Sequence, residues 1–356
     1  MPIVPLYGHA ALRERLASAA ATGRLPASVL LHGPSGVGKQ RLGLWLGALL
    51  LCESSPAPCG RCQSCRYAAE LAHPDLHWIF PRPRLKDADA GAEEVRQDYA
   101  EAISERLAAG GLYARPSGTE GIYVATVRSI VQRAAISPAM AKRKVFVIGD
   151  AERMVPQEGS DMAANAFLKL LEEPPADTTL IVTSSEPGAL LPTIRSRVVS
   201  LRVPPLGEAD LRAFLADPLV RDALEKEPVP KSDAERVALA GGAPGTLFGG
   251  GERDAARDGA KRILDAAESG DRAAALRIAF QQGATRARGR FTDTLDALEG
   301  LLHDRARTKV ARGDERGAES AARAVDAVEQ ARERAAGNVS PNLVTAELMR
   351  RLGERR

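Results

Sequence analysis

Two clusters of residues in this chain have the types and spacing to do chemistry. The first is Gly33-Pro34-Ser35-Gly36-Val37-Gly38-Lys39-Gln40. The glycines let consecutive backbone N–H groups turn inward around an anion. The helical pattern that follows adds the partial positive charge of a helix N-terminus. The chemistry is phosphate binding: Gly33, Ser35, Gly36, Val37 and Gly38 form the loop, and Lys39 reaches toward the β and γ phosphates of ATP or ADP. The position after the lysine calls for a hydroxyl that holds Mg²⁺, and here it is Gln40, whose amide is longer and differently aimed. Phosphate binding is therefore expected, while efficient hydrolysis and a standard Mg²⁺ site are in doubt. The competing reading is a loop that keeps its shape without nucleotide.

The second cluster is Cys52, Cys59, Cys62 and Cys65, spaced C-x6-C-x2-C-x2-C. Cysteines two residues apart wrap two thiolates around one ion, and Gly60 supplies the tight turn. Four thiolates with no fifth ligand describe a closed, structural Zn²⁺ site. An iron–sulfur cluster and four reduced thiols are the alternatives. His73 and His77 are close in sequence but read as ordinary structural histidines.

An ATPase needs more than a loop: an acid at the end of a neighbouring strand for Mg²⁺, and a group to orient the attacking water. After the run Val145–Ile148 the chain reads Gly149-Asp150-Ala151-Glu152. Asp150 either holds a metal or caps the following turn, and Glu152 is expected to face away. Ser184, within Thr183-Ser184-Ser185, could set a hydroxyl near a γ-phosphate. Arg195-Ser196-Arg197 stands before the last strand, where an arginine could project toward a neighbour's nucleotide; from the residues alone it reads as a surface pair.

These residues must be positioned by a fold. The chain has 356 residues, too many for one ordinary core, so two or three domains are expected. With 44% hydrophobic and only 4% aromatic residues it should be globular and largely helical. A net charge of +3 permits nucleic-acid contact without arguing for it. No apolar run approaches the roughly 20 residues of a membrane span, and the N-terminal residues lack the pattern of a signal peptide, so a cytoplasmic protein is expected.

Leu6–Ala21 reads as an amphipathic helix, Val29–Leu31 as a buried strand and the loop's helix as running to Leu51. Further strands are expected at Leu76–Phe80, Lys144–Ile148, Thr179–Thr183 and Val198–Val203, with helices at Thr126–Ala135 and Asp161–Glu173. Residues 81–121 hold one helix (Val95, Tyr99, Ile103, Leu107) in what otherwise reads as a mobile insertion. Strands alternating with helices specify a parallel sheet covered on both faces, with the loop at the carboxyl ends of its strands. From Glu208 onward all periodicity is helical. Phe291, Leu295, Leu298 and Leu302 share one face, so the last hundred residues read as a helical bundle rather than a charged tail. The fold class is α/β plus all-α.

Taken together, GRLPASVLLHGPSGVGK, the four cysteines followed by HPDLHW, AANAFLKLLEEPP and LLPTIRSR resemble the AAA+ subunits of the bacterial DNA polymerase III clamp loader. The resemblance covers nearly the whole chain. Within that family Gln40, the displaced Asp150-Ala151-Glu152, and Gly245 where an ATPase tends to carry a sensing arginine are similar to the delta-prime branch rather than the gamma/tau ATPase. The segment Asn338-Val339-Ser340-Pro341-Asn342-Leu343 is similar to the family's ending. The family's Ser-Arg-Cys reads Ser196-Arg197-Val198.

The resemblance implies a RecA-like AAA+ P-loop domain with a zinc module (1–205), a helical lid (206–250) and a helical collar (251–356). It implies a non-polymerising stator with little ATPase of its own, in which Arg197 acts in trans on the ATP of an adjacent subunit. Its partners would be the gamma/tau and delta subunits, the sliding clamp and primer–template DNA. The alternatives are an active gamma/tau-like ATPase and an unrelated zinc-containing nucleotide-binding protein.

Overall fold

The computed structural model describes residues 2–85, 87, 90–116, 120–154, 161–269, 272–281, 288–336 and 340–353. The chain divides into two compact units, one of residues 1–115 and 121–249, the other of 250–356 with 116–120.

The first unit opens with α1 (Ala10–Ala21), β1 (Ser28–His32), α2 (Lys39–Leu51), α3 (Gln63–Ala69), β2 (Leu76–Ile79) and α4 (Ala92–Ala108). It continues through α5 (Val124–Ala134), β3 (Lys144–Ile148), α6 (Asp161–Glu172), β4 (Thr178–Ser184), α7 (Pro192–Arg195) and β5 (Val199–Arg202). α8 (Glu208–Ala216), α9 (Pro218–Leu224) and α10 (Asp233–Ala240) complete it.

The five strands described form one parallel sheet in the order β2-β3-β4-β1-β5. β3 and β4 are buried at every residue, which is why Val145–Ile148 and Leu180–Val182 are apolar without alternation: a parallel sheet is covered on both faces. Alternation decides which face each side chain serves. Val29, Leu31, Val145, Val147 and Ile181 enter one core with Leu42, Leu46 and Trp78. Leu30, Phe146, Ile148, Leu180 and Val182 enter the opposite one with Ile130, Phe167 and Leu171. Each such side chain contributes roughly 1.5–3 kcal/mol by leaving water. Among the described residues β5 pairs only with β1, and it is largely exposed.

Two expectations are corrected. The first helix begins at Ala10 rather than Leu6, because Gly8 and His9 take left-handed backbone (φ 70° and 57°) that a right-handed helix excludes. The described part of 81–121 is packed rather than loose. α4 buries Val95, Tyr99 and Ala102, the Tyr99 hydroxyl donates to the Phe80 carbonyl (2.6 Å), and Arg82 donates twice to Asp98 (2.9 and 3.0 Å). The Arg106 guanidinium lies 3.3 Å and 3.9 Å from the ring centres of Phe80 and Tyr113.

The second unit contains α11 (Gly250–Ser269), α12 (Arg272–Gln281), α13 (Arg288–Ala311), α14 (Glu315–Ala336) and α15 (Pro341–Gly353). Phe291, Leu295, Leu298 and Leu302 are all buried on α13, against Ile263, Val328 and Leu348. Asn338 and Val339, part of the family-like ending, lie outside the described residues. Among the described residues no helix is long and apolar enough to cross a membrane.

Candidate nucleotide and metal sites

The loop 33–38 joins the carboxyl end of β1 to the N-terminus of α2, so its amides gather at the positive end of a 13-residue helix. All three ammonium donors of Lys39 are used within the protein, on the carbonyls of Gly33 (3.0 Å) and Pro34 (2.8 Å) and the hydroxyl of Ser185 (2.9 Å). Burial lowers the Lys39 pKa; Asp150 and Glu152 nearby oppose that shift. The Val37 side chain is buried, and its carbonyl accepts from His9 Nε2 (2.9 Å). Ser35 is half-buried in the loop.

A second contact comes from the one-turn helix Pro244–Leu247. The Gly245 N–H donates to the Gly36 carbonyl (2.9 Å), and a Cβ on Gly245 would stand 2.7 Å from Gly36 Cα. The residue read from sequence as a missing arginine is thus a place where two backbones touch, which only glycine allows.

On the metal side, Gln40 is bonded at both ends of its amide. Nε2 donates to Asp150 (2.9 Å), and Oε1 accepts from the indole N–H of Trp78 (2.8 Å). The amide lies against Gly149, where a Cβ would overlap it. Asp150 stands at φ 47°, its N–H donating to Thr183 Oγ1 (3.1 Å). Burial, then the nearby Glu152, raises its pKa. The two residues at the positions where Mg²⁺ would be held are bonded to each other.

Glu152 faces the site, contrary to expectation. Ala151–Arg153 form a single 3-10 turn after the left-handed Asp150, and Glu152 Oε1 accepts the Ser185 N–H (2.9 Å). Its Oε2 is buried without a hydrogen-bond partner among the described residues. Ser184 is fully buried, and its hydroxyl accepts from the Glu186 N–H (3.1 Å). It is Ser185 that reaches Lys39.

Arg197 lies at the other end of the sheet. β1 and β5 are parallel; the loop follows the carboxyl end of β1, whereas Arg197 precedes the amino end of β5. A four-residue strand at about 3.3 Å per residue puts roughly 13 Å between these two ends. The guanidinium donates through Nε to Glu172 (3.0 Å) and through Nη1 to the Thr193 carbonyl (3.0 Å) and Ser196 Oγ (3.3 Å). Nη2 has no partner among the described residues.

The four cysteines converge, with all Sγ atoms within 4.8 Å of one another and the pairs Cys52–Cys62 and Cys59–Cys65 at 3.8 and 4.0 Å. An ion held by thiolates at about 2.3 Å in a tetrahedron implies sulfur separations of about 3.8 Å. The backbone N–H groups of Cys59, Cys62 and Cys65 donate to Cys52, Cys59 and Cys62 sulfurs at 3.3–3.4 Å, a pattern that favours thiolate. Donation from Arg61 and Cys62 amides holds the Cys59 thiol down to about 6, while burial pushes Cys65 up to about 12. The cluster has the donor set and size for one metal ion. His73 is outside it: buried, with Nδ1 accepting the Asp75 N–H (3.0 Å).

A family model described as DNA polymerase III, delta subunit, matches residues 8–207, more than half of the chain. The chain belongs to this DNA polymerase III delta family. Among curated relatives, the DNA polymerase III subunit delta' of Pseudomonas aeruginosa is 33% identical over 243 residues, 66% of this chain and 60% of its own length. Subunit delta' of Bacillus subtilis is 27% identical over 51% of this chain and 44% of its own length. The gamma/tau subunit of Mycobacterium tuberculosis is 30% identical over 59% of this chain and 30% of its own length. The chain spans about half the length of the curated delta' relatives it matches.

The DNA polymerase III delta match ends near the close of β5, so it covers the loop, the cysteines, Asp150 and Arg197 but not the helices that follow. The Trp78 bond to Gln40 and the inward Glu152 were not visible in the sequence, and within Thr183-Ser184-Ser185 it is the Ser185 hydroxyl that meets Lys39. Gly149 was the one visible signal, since a glycine at the end of an otherwise β-branched strand leaves space for a neighbour.

Proposed function

We propose that this chain is a delta-prime-type stator of the bacterial clamp loader. In this reading it assembles with gamma/tau and delta subunits and takes part in opening the sliding clamp and setting it on primer–template DNA in the cytoplasm. It contributes Arg197 to the ATP held by a neighbouring subunit. Residues 1–205 act as the AAA+ domain with a Zn²⁺-stabilised module on Cys52, Cys59, Cys62 and Cys65. Residues 206–250 act as its lid and 251–356 as the collar that joins the ring.

The observation that carries the reading is the separation of Arg197 from its own phosphate loop, across the length of the sheet, with Nη2 meeting no partner among the described residues. An arginine in that position is too far from its own loop to act there, which supports a role toward a site on another molecule. The bonded pair Gln40–Asp150 supports the corollary that the chain hydrolyses little ATP itself.

A second reading, an active gamma/tau-like ATPase, is favoured by the inward Glu152 beside Ser185 and Lys39. Steady-state ATPase of the lone protein separates the two. The stator reading expects turnover at background; robust turnover abolished by Lys39→Ala would establish the ATPase instead.

A further inference from the structure

Arg197 is held from two directions. Glu172, the last residue of α6, takes Nε at 3.0 Å; Thr193 and Ser196, in and just after α7, take Nη1. Both anchors are fixed elements. Phe167 and Leu171 of α6 and Ile194 of α7 are buried in the same core. An arginine side chain otherwise samples many rotamers, and a guanidinium bonded at two of its three nitrogens presents the third in one orientation. The carboxylate is 57% exposed and the guanidinium side chain 29%. An ion pair this wet contributes little to stability, which leaves orientation as its consequence.

We propose that Glu172 is a positioning residue for Arg197. It fixes the guanidinium fork so that the Nη2 edge meets the anionic phosphate of a nucleotide bound to the neighbouring subunit. This rests on the in-trans reading of Arg197. The nucleotide gains a donor that need not be reoriented during the reaction, so the loss on removing Glu172 falls on the chemical step rather than on nucleotide binding.

The test uses the full complex with gamma/tau, delta, clamp and primed DNA, with ATP turnover measured across ATP concentrations and assembly checked by size-exclusion chromatography. Glu172→Ala is expected to lower kcat about tenfold with KM for ATP unchanged within about twofold. Glu172→Gln keeps an acceptor for Nε and is expected to recover to within about twofold of wild type. Glu172→Ala combined with Arg197→Ala should be no slower than Arg197→Ala alone, because the carboxylate acts only through the arginine.

An unchanged or raised kcat for Glu172→Ala, or losses that multiply in the double variant, overturns the proposal while leaving Arg197 in its role. Wild-type turnover by the assembled Arg197→Ala complex overturns the in-trans reading itself. Thermal melting of each variant excludes misfolding as the source of a loss.

Discussion

Gln40 and Asp150 are hydrogen-bonded to each other, amide to carboxylate at 2.9 Å, at the point where a phosphate loop and its acidic partner would share a cation. The arrangement depends on Gly149, since a methyl group there would overlap the Gln40 amide. Gly149→Ala should therefore destabilise the protein by about 1–3 kcal/mol, the cost of overpacking a filled interior. Gln40→Ser in the same chain should restore most of that loss. A double-mutant cycle by chemical denaturation reads the coupling; additive effects would mean that the amide does not fill the space over residue 149.

Lys39 has the same inward commitment. Its three bonds tie both ends of the loop and the carboxyl end of β4 together. In the lone protein without nucleotide, Lys39→Met should lower stability by about 1–3 kcal/mol through loss of the three hydrogen bonds donated by the ammonium. A lysine held out for phosphate alone would give no change in the melting curve.

The cysteine cluster predicts one tightly held metal ion per chain, detected by elemental analysis and lost in Cys62→Ser. With the metal removed by a chelator, Cys59, held down to about 6, should be the first thiol alkylated at neutral pH, ahead of Cys65, held up at about 12. Equal alkylation with and without chelator, followed by mass spectrometry, would contradict a metal site.

His77 predicts a pH dependence of stability. Burial, then Arg133, lowers its pKa from 6.5 to about 4, and its ring packs on Phe146. The folded state holds the ring neutral while the unfolded chain takes up the proton. The contribution is complete above pH 6.5 and is lost as pH falls toward 4. By pH 5 the loss is about 2 kcal/mol. Denaturation of wild type and His77→Gln at pH 7 and pH 5 should show the variant losing less; parallel losses would assign the effect to other groups.

Much of this was legible in the sequence, for physical reasons that differ by element. β3 and β4 were readable because strands buried on both faces are apolar without alternation through their middles, here Val145–Ile148 and Leu180–Val182, and the bundle was readable because Phe291, Leu295, Leu298 and Leu302 keep one helical face. The loop and the cysteines declare themselves by spacing. What escaped depends on backbone turns of a single residue. Asp150 at φ 47° reverses Glu152, and the bend after β4 gives Ser185 rather than Ser184 to Lys39. The docking of α4 escaped because its anchors, Arg82 with Asp98 and Arg106 on Phe80, are charged residues whose sequence pattern reads as solvated.

The role of Arg197 decides between a stator and an independent ATPase. Its direct test is ATP turnover of the reconstituted clamp loader, with cognate gamma/tau and delta subunits, clamp and primed DNA, carrying either wild type or Arg197→Ala. An arginine acting in trans predicts that the variant assembles normally and that turnover falls by about 10³-fold at the neighbouring site. Full turnover by the assembled variant would contradict an arginine acting across the interface.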